Sequence, residues 1–168
     1  METNKQNLIY CSSKSSAIDK AIYYAKFLPY LNDSVLDSLS LDISNNIHKD
    51  YYLADLIKKG VAYHIGYIPT SIRERIEKLF ESGKIKTIFC TSTLVEGVNL
   101  PADNLFITSS YNGPSKMTEV DLRNLSGRVG RIKYSTYGNV FYVKDYDLFI
   151  EYNGSWTHGG HLYDENKI

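Results

Sequence analysis

Apolar residues recur along this chain in two rhythms. Short continuous runs stand at residues 8–11, 61–65, 87–91, 105–108 and 139–143. Runs of this length, bounded by Ser, Gly or Asn, read as strands buried on both faces. Between them the apolar spacing becomes three to four residues, the period of an amphipathic helix. Ala17, Ile18, Ala21, Ile22, Ala25 and Leu28 predict a helix closed by Pro29. Ile47, Tyr51, Leu53, Leu56 and Ile57 predict another over 47–59, stopped by Gly60. Ile72, Ile76, Leu79 and Phe80 line one face of a helix over 69–82, with Pro69 in its first turn. A short helix is expected over 93–96, stopped at Gly97, and a longer one over 119–129, ended at Gly130. Residues 32–46 are polar and broken, and are expected to hold a short helix and a loop. Gly113 and Pro114 mark a turn. From Asp145 onward no clear period remains, and an edge strand followed by a linker is expected.

Strands alternating with helices imply an α/β fold, a mostly parallel sheet with helices on both faces. In such sheets ligands sit outside the carboxyl ends of the strands. The residues directly after strands are Ser12 and Ser13, Gly66, and Thr91 to Thr93. Each offers a hydroxyl or an unobstructed backbone N–H at a turn leading toward a helix. Helix N-termini carry free N–H groups and partial positive charge, which suit phosphate. The same residue types also serve simply as N-caps and turn formers. Both readings are open on this pattern alone.

Residues 127–131, GRVGR, hold Arg128 and Arg131 three positions apart. In a helix that spacing puts both on one face. Arginine is planar, always charged and binds phosphate oxygens bidentately, and the adjacent glycines allow close approach. Solvated or acid-paired arginines at a helix end are the other reading.

Composition narrows the classes. The chain has 168 residues, the size of one domain, with 43% hydrophobic and 23% charged residues. Its formal net charge is zero, so nothing about nucleic acid follows from charge alone. Cys11 and Cys90 offer no disulfide framework and read as core thiols of a reducing compartment. No apolar run approaches the ~20 residues that span a bilayer. The polar start METNKQN has no secretion-signal pattern, so a cytoplasmic location is expected. His48, His158 and His161 show no ligand spacing with cysteine or acid, and His64 reads as a satisfied residue at a strand end, so no metal site is expected.

Four segments match a family pattern in order. LIYCSSK, residues 8–14, resembles motif IV of superfamily 2 helicases; TSTLVEGVNLPA, residues 91–102, resembles motif V; NLSGRVGR, residues 124–131, resembles motif VI. Residues 60–90 resemble the segment between motifs IV and V, where a strand, a glycine and an Arg/Glu-bearing helix recur. The EGVNLPA wording is similar to the DExH-box branch. The resemblance runs from about Leu8 to Val143. It implies the second, C-terminal RecA-like domain, expected over 1–150, with 151–168 as a tail toward further sequence.

The resemblance also implies roles. Arg131 would be the arginine finger toward the γ-phosphate, with Arg128 beside it. Asn99 would face the ribose, and Gly97, Asn124 and Gly127 would belong to the same nucleotide site. Ser13, Gly66, Thr91 and Thr93 would contact the sugar-phosphate backbone of single-stranded RNA or DNA. Glu96 and Thr93 would couple the two sites. Motif VI usually carries Gln where Asn124 stands, and many relatives have a second His where Ile65 stands. The chain has no G-x-x-x-x-G-K-[ST] phosphate loop and no Asp-Glu-x-His sequence. The family holds both in its first RecA-like domain. ATP and Mg2+ are therefore expected in a site shared with that partner domain, and this chain alone is expected to hydrolyse none. A second class of function, a non-catalytic binding scaffold on the same fold, is the alternative.

Overall fold

The computed structural model describes residues 5–48, 51–92, 100, 102–127 and 138–143. Their elements are β1 (Asn7–Tyr10), α1 (Lys14–Ala25), α2 (Ser34–Asn46), α3 (Tyr52–Lys58), β2 (Val61–His64), α4 (Thr70–Glu81), β3 (Thr87–Cys90), β4 (Asn104–Ile107), β5 (Tyr111–Asn112), β6 (Ser115–Lys116), α5 (Glu119–Ser126) and β7 (Asn139–Tyr142). The main sheet has five strands in the order β2-β3-β1-β4-β7. Every pairing in it is parallel. This is the parallel α/β architecture that the alternation of runs predicts, and it agrees with the RecA-like fold that the resemblance implies.

Both faces are covered. Tyr63 and Phe89 are register partners and so share one face. Tyr24 of α1 packs on Phe89 at 5.8 Å between ring centroids, and Tyr51, just before α3, packs on Tyr63 at 6.2 Å. His64, the next residue along β2, points to the other face and meets Glu77 of α4. Ala17, Ala21 and Ala25 are the buried stripe of α1. Their short side chains let the helix axis lie close to the sheet.

The register is fixed at the strand starts by an asparagine ladder. Asn104 Nδ2 donates to Asn7 Oδ1 at 2.8 Å, and Asn139 Nδ2 donates to Asn104 Oδ1 at 3.0 Å. The three residues are register partners across β1, β4 and β7. Two strand positions further on, Phe106 and Phe141 stack at 4.8 Å. A slip of one residue would break the ladder and turn every core side chain to the wrong face.

Several expectations shift. Residues 32–46 are not a short helix and a loop: α2 is a continuous helix of 13 residues. Asp33 caps it, accepting from Val35 N at 2.9 Å and Leu36 N at 3.3 Å. Leu36, Leu39 and Ile43 form its buried stripe. Ser40 is buried beside them, and the other Ser, Asp and Asn residues of α2 lie outside this stripe, where they hide the period without opposing it. The helix expected over 47–59 is the 7-residue α3, because Ile47 is already the C-cap of α2. Gly60 does stop α3, at φ +70. The helix expected to run to Pro29 ends at Ala25, where Lys26 N turns back to the carbonyls of Tyr23 and Tyr24. The Gly113–Pro114 turn joins β5 and β6 in a two-stranded antiparallel hairpin, with Gly113 at φ +59. The helix expected over 93–96, and residues 145–168, lie outside the described residues.

Candidate nucleic-acid and nucleotide interface at the strand ends

Parallel pairing brings His64, Cys90, Tyr10, Ile107 and Tyr142 level across the sheet as register partners. The turns after β1, β2 and β3 therefore open on one edge. Ser13, Gly66 and Thr91 all stand on it, as the sequence predicts.

Ser13 is exposed and caps α1. With φ −143 and ψ 159 it is extended, and its Oγ accepts from Ser16 N at 3.2 Å. The N-cap role is therefore real. It engages a lone pair and leaves the hydroxyl proton able to donate, for which Ser15 Oγ, 3.4 Å away, is one partner. Gly66 is exposed in the turn after β2. α4 follows with Pro69 as N-cap, which makes no side-chain capping bond. Ile72 N and Arg73 N both donate to the Pro69 carbonyl at 3.0 Å, which leaves the N–H groups of Thr70 and Ser71 to water or a ligand. Thr91 is only 7% exposed, directly beyond Cys90. Of the three it is the most enclosed by protein.

Two residues without a role in the sequence reading join this edge. Lys14 Nζ lies over the ring of Tyr67, 3.5 Å from its centroid. Lys14 opens α1 and Tyr67 follows Gly66, so the contact links the turns after β1 and β2. Because β3 lies between those strands, the pair reaches across the end of β3, where Thr91 sits. An aromatic residue beside a strand-end glycine is the only sequence signal for it.

The far half of the edge is tied together by hydrogen bonds to backbone carbonyls. Tyr10 Oη donates to the Tyr111 carbonyl at 3.0 Å, Gly113 N donates to the Ser12 carbonyl at 3.1 Å, and Thr108 Oγ1 donates to the Tyr10 carbonyl at 2.8 Å. The β5–β6 hairpin is thereby docked on the turn that presents Ser13. Burial pushes the Tyr10 phenol up, so it stays a neutral donor.

α5 begins with a reciprocal capping box. Thr118 Oγ1 accepts from Asp121 N at 3.2 Å, and Asp121 Oδ2 accepts from Thr118 N at 2.8 Å. At its other end Asn124 and Gly127 are exposed. Gly127 is the C-cap, and its N–H returns to the Arg123 carbonyl at 2.8 Å. A side chain there would meet that carbonyl at 3.3 Å. Arg128, Arg131, Thr93, Glu96, Gly97 and Asn99 lie outside the described residues.

His64 does not face this edge as a ligand. It is fully buried, with Nε2 at 2.8 Å from Glu77 Oε1. Burial holds its imidazole below the usual range, against the opposing pull of Glu77. Cys11 and Cys90 are free and buried, and burial raises both thiols. They are core residues, as their apolar context predicts. Among the described residues no group of three or more His, Cys, Asp or Glu is placed to hold a metal ion. None of the described helices is long and apolar enough to cross a membrane.

The strand-end edge, the ordered motifs and the parallel sheet define one class of domain. The family model "Helicase conserved C-terminal domain" matches residues 1–133. The chain belongs to this family, as the C-terminal RecA-like domain of a superfamily 2 helicase. Among curated relatives, it is 33% identical over 151 residues to DNA polymerase theta of Caenorhabditis elegans, covering 82% of this chain and 9% of that protein. It is 34% identical over 146 residues to the ATP-dependent DNA helicase MER3 of Saccharomyces cerevisiae, covering 84% and 12%. It is 35% identical over 97 residues to the ATP-dependent DNA helicase Hel308 of Aeropyrum pernix, covering 55% and 13%. The aligned part is thus 9%, 12% and 13% of the length of these relatives.

Proposed function

We propose that this chain is the second motor domain of an ATP-dependent helicase that moves along single-stranded DNA. Residues 1–150 would form the motor domain and 151–168 a tail. A first RecA-like domain would supply the phosphate loop and the Mg2+ ligands, and ATP would be held between the two. The observation that carries this reading is the level strand ends, which gather Gly66, Thr91 and Ser13 on one edge of the sheet. The choice of DNA is supported by the names of the relatives, two of which are ATP-dependent DNA helicases.

On this reading the edge holds the sugar-phosphate backbone. Ser13 would donate its hydroxyl, Gly66 its unobstructed backbone N–H, and Thr91 and Thr93 their hydroxyls. Contacts of this kind carry no base identity and suit a motor that must pass any sequence. Asn99, Gly97, Asn124 and Gly127 would line the nucleotide, and Arg128 and Arg131 would meet its phosphates. ATP supplies the free energy that alternates the two domains between closed and open arrangements. The arginines of this chain would complete the site only in the closed one.

Charge inversion at the edge tests the grip. Ser13→Glu and Gly66→Glu, each in the full-length protein, set a carboxylate against a phosphate. Affinity for single-stranded DNA, read by fluorescence anisotropy, is expected to fall about tenfold or more in each. Wild-type affinity in both variants would remove the strand from this edge.

A further inference from the structure

We propose that Tyr67 is a stacking platform for a base of the bound strand, and that Lys14 holds the ring in position for it. This rests on the strand-grip reading above and adds a base contact to what is otherwise a backbone site. Tyr67 is 79% exposed, the most exposed large hydrophobic side chain among the described residues. It stands beside Gly66, on the edge that carries Ser13 and Thr91. One face of its ring is taken by the Lys14 ammonium, 3.5 Å from the centroid. A cation over one face restrains the ring's rotation and leaves the opposite face for a flat partner. The surrounding groups choose that partner. Lys14 brings a positive charge, Ser13 a hydroxyl, and α4 an N-terminus whose N-cap makes no side-chain bond. All three suit phosphate, so a phosphate-linked flat group, a nucleobase, matches the whole set.

The position of the pair gives the contact a purpose. Lys14 and Tyr67 reach from the turn after β1 to the turn after β2, across the end of β3. A strand lying on the Ser13, Gly66 and Thr91 turns would pass directly under the ring. Because every base has a π-face, stacking there tolerates any sequence and adds affinity without selecting one. The ring would limit slippage of the strand while the backbone contacts are made and released.

The test uses the full-length protein and two single-stranded DNA probes, one intact and one carrying abasic sites along the bound stretch. A third probe places 2-aminopurine at successive positions. Tyr67→Phe keeps the ring and is expected to bind as wild type. Tyr67→Ala is expected to bind intact DNA about tenfold more weakly. It should bind the abasic probe as wild type does, and lose the 2-aminopurine quench seen at one position. Lys14→Met is expected to weaken binding to both probes and to reduce that quench. The proposal is overturned if Tyr67→Ala binds intact DNA with wild-type affinity, or weakens on both probes equally. It is also overturned if Tyr67→Ala keeps wild-type DNA binding and loses only ATP turnover, since the ring would then be a contact for another domain. Ser13→Glu separates the two levels. If it weakens binding while Tyr67→Ala does not, the grip stands and the stack fails. If neither variant changes binding, the grip itself fails.

Discussion

The imidazole Nε2 of His64 lies 2.8 Å from Glu77 Oε1, joining the last residue of β2 to α4 across a buried interface. β2 feeds the Gly66 turn and α4 follows it. The pair therefore fixes the two ends of the segment that presents Gly66 and Tyr67. Burial lowers the basicity of His64 more than Glu77 raises it. The folded state thus holds the proton less tightly than the unfolded chain, whose His titrates near 6.5. The unfolded state binds more protons below that pH, so stability is full above about 6.5 and is lost as pH falls through the lowered folded value. Urea titrations between pH 7 and 5 should show this loss, and His64→Gln should flatten it. A wild-type protein whose stability stays level over that range in comparison with His64→Gln would contradict the assignment.

Gly60 gives a second prediction. It ends α3 at φ +70, and a Cβ there would meet Leu31 Cδ1 at 2.9 Å and the Lys84 carbonyl at 3.3 Å. Leu31 can move, being 46% exposed, whereas the carbonyl is fixed by the backbone. Gly83 has a similar φ of +77 but only the Lys86 ammonium nearby, at 3.6 Å. Gly83→Ala should cost about 1–2 kcal/mol from left-handed backbone alone. Gly60→Ala should cost more, by the packing difference. Equal losses in denaturant titrations would show that neither Leu31 nor the Lys84 carbonyl resists the added Cβ.

How far the sequence carries can be read from these same places. The buried strands and the stop at Gly60 were legible because apolar runs and a helix-ending glycine act locally. α2 was not, since its outward Ser, Asp and Asn residues mask the Leu36, Leu39 and Ile43 stripe, and its cap at Asp33 is one acid among several. Strand order was not legible either: nothing in the runs places β1 at the centre with β3 and β4 on either side. Ser13, Gly66 and Thr91 could be picked out because strand-end position is a local property. Lys14 and Tyr67 could not, because their partnership exists only once β2 and β1 are set two strands apart. Arg128 and Arg131 are motif residues that lie outside the described residues.

The ATPase reaction tests the central claim most directly. The measurement is single-strand-stimulated ATP hydrolysis by the full-length protein, wild type beside Arg131→Ala, with nucleotide binding followed in parallel. The account predicts that DNA stimulates the wild type, and that Arg131→Ala loses about 10³-fold in turnover while still binding nucleotide. A full-length protein with no ATPase on either DNA or RNA, or an Arg131→Ala protein that turns over at the wild-type rate, would contradict it.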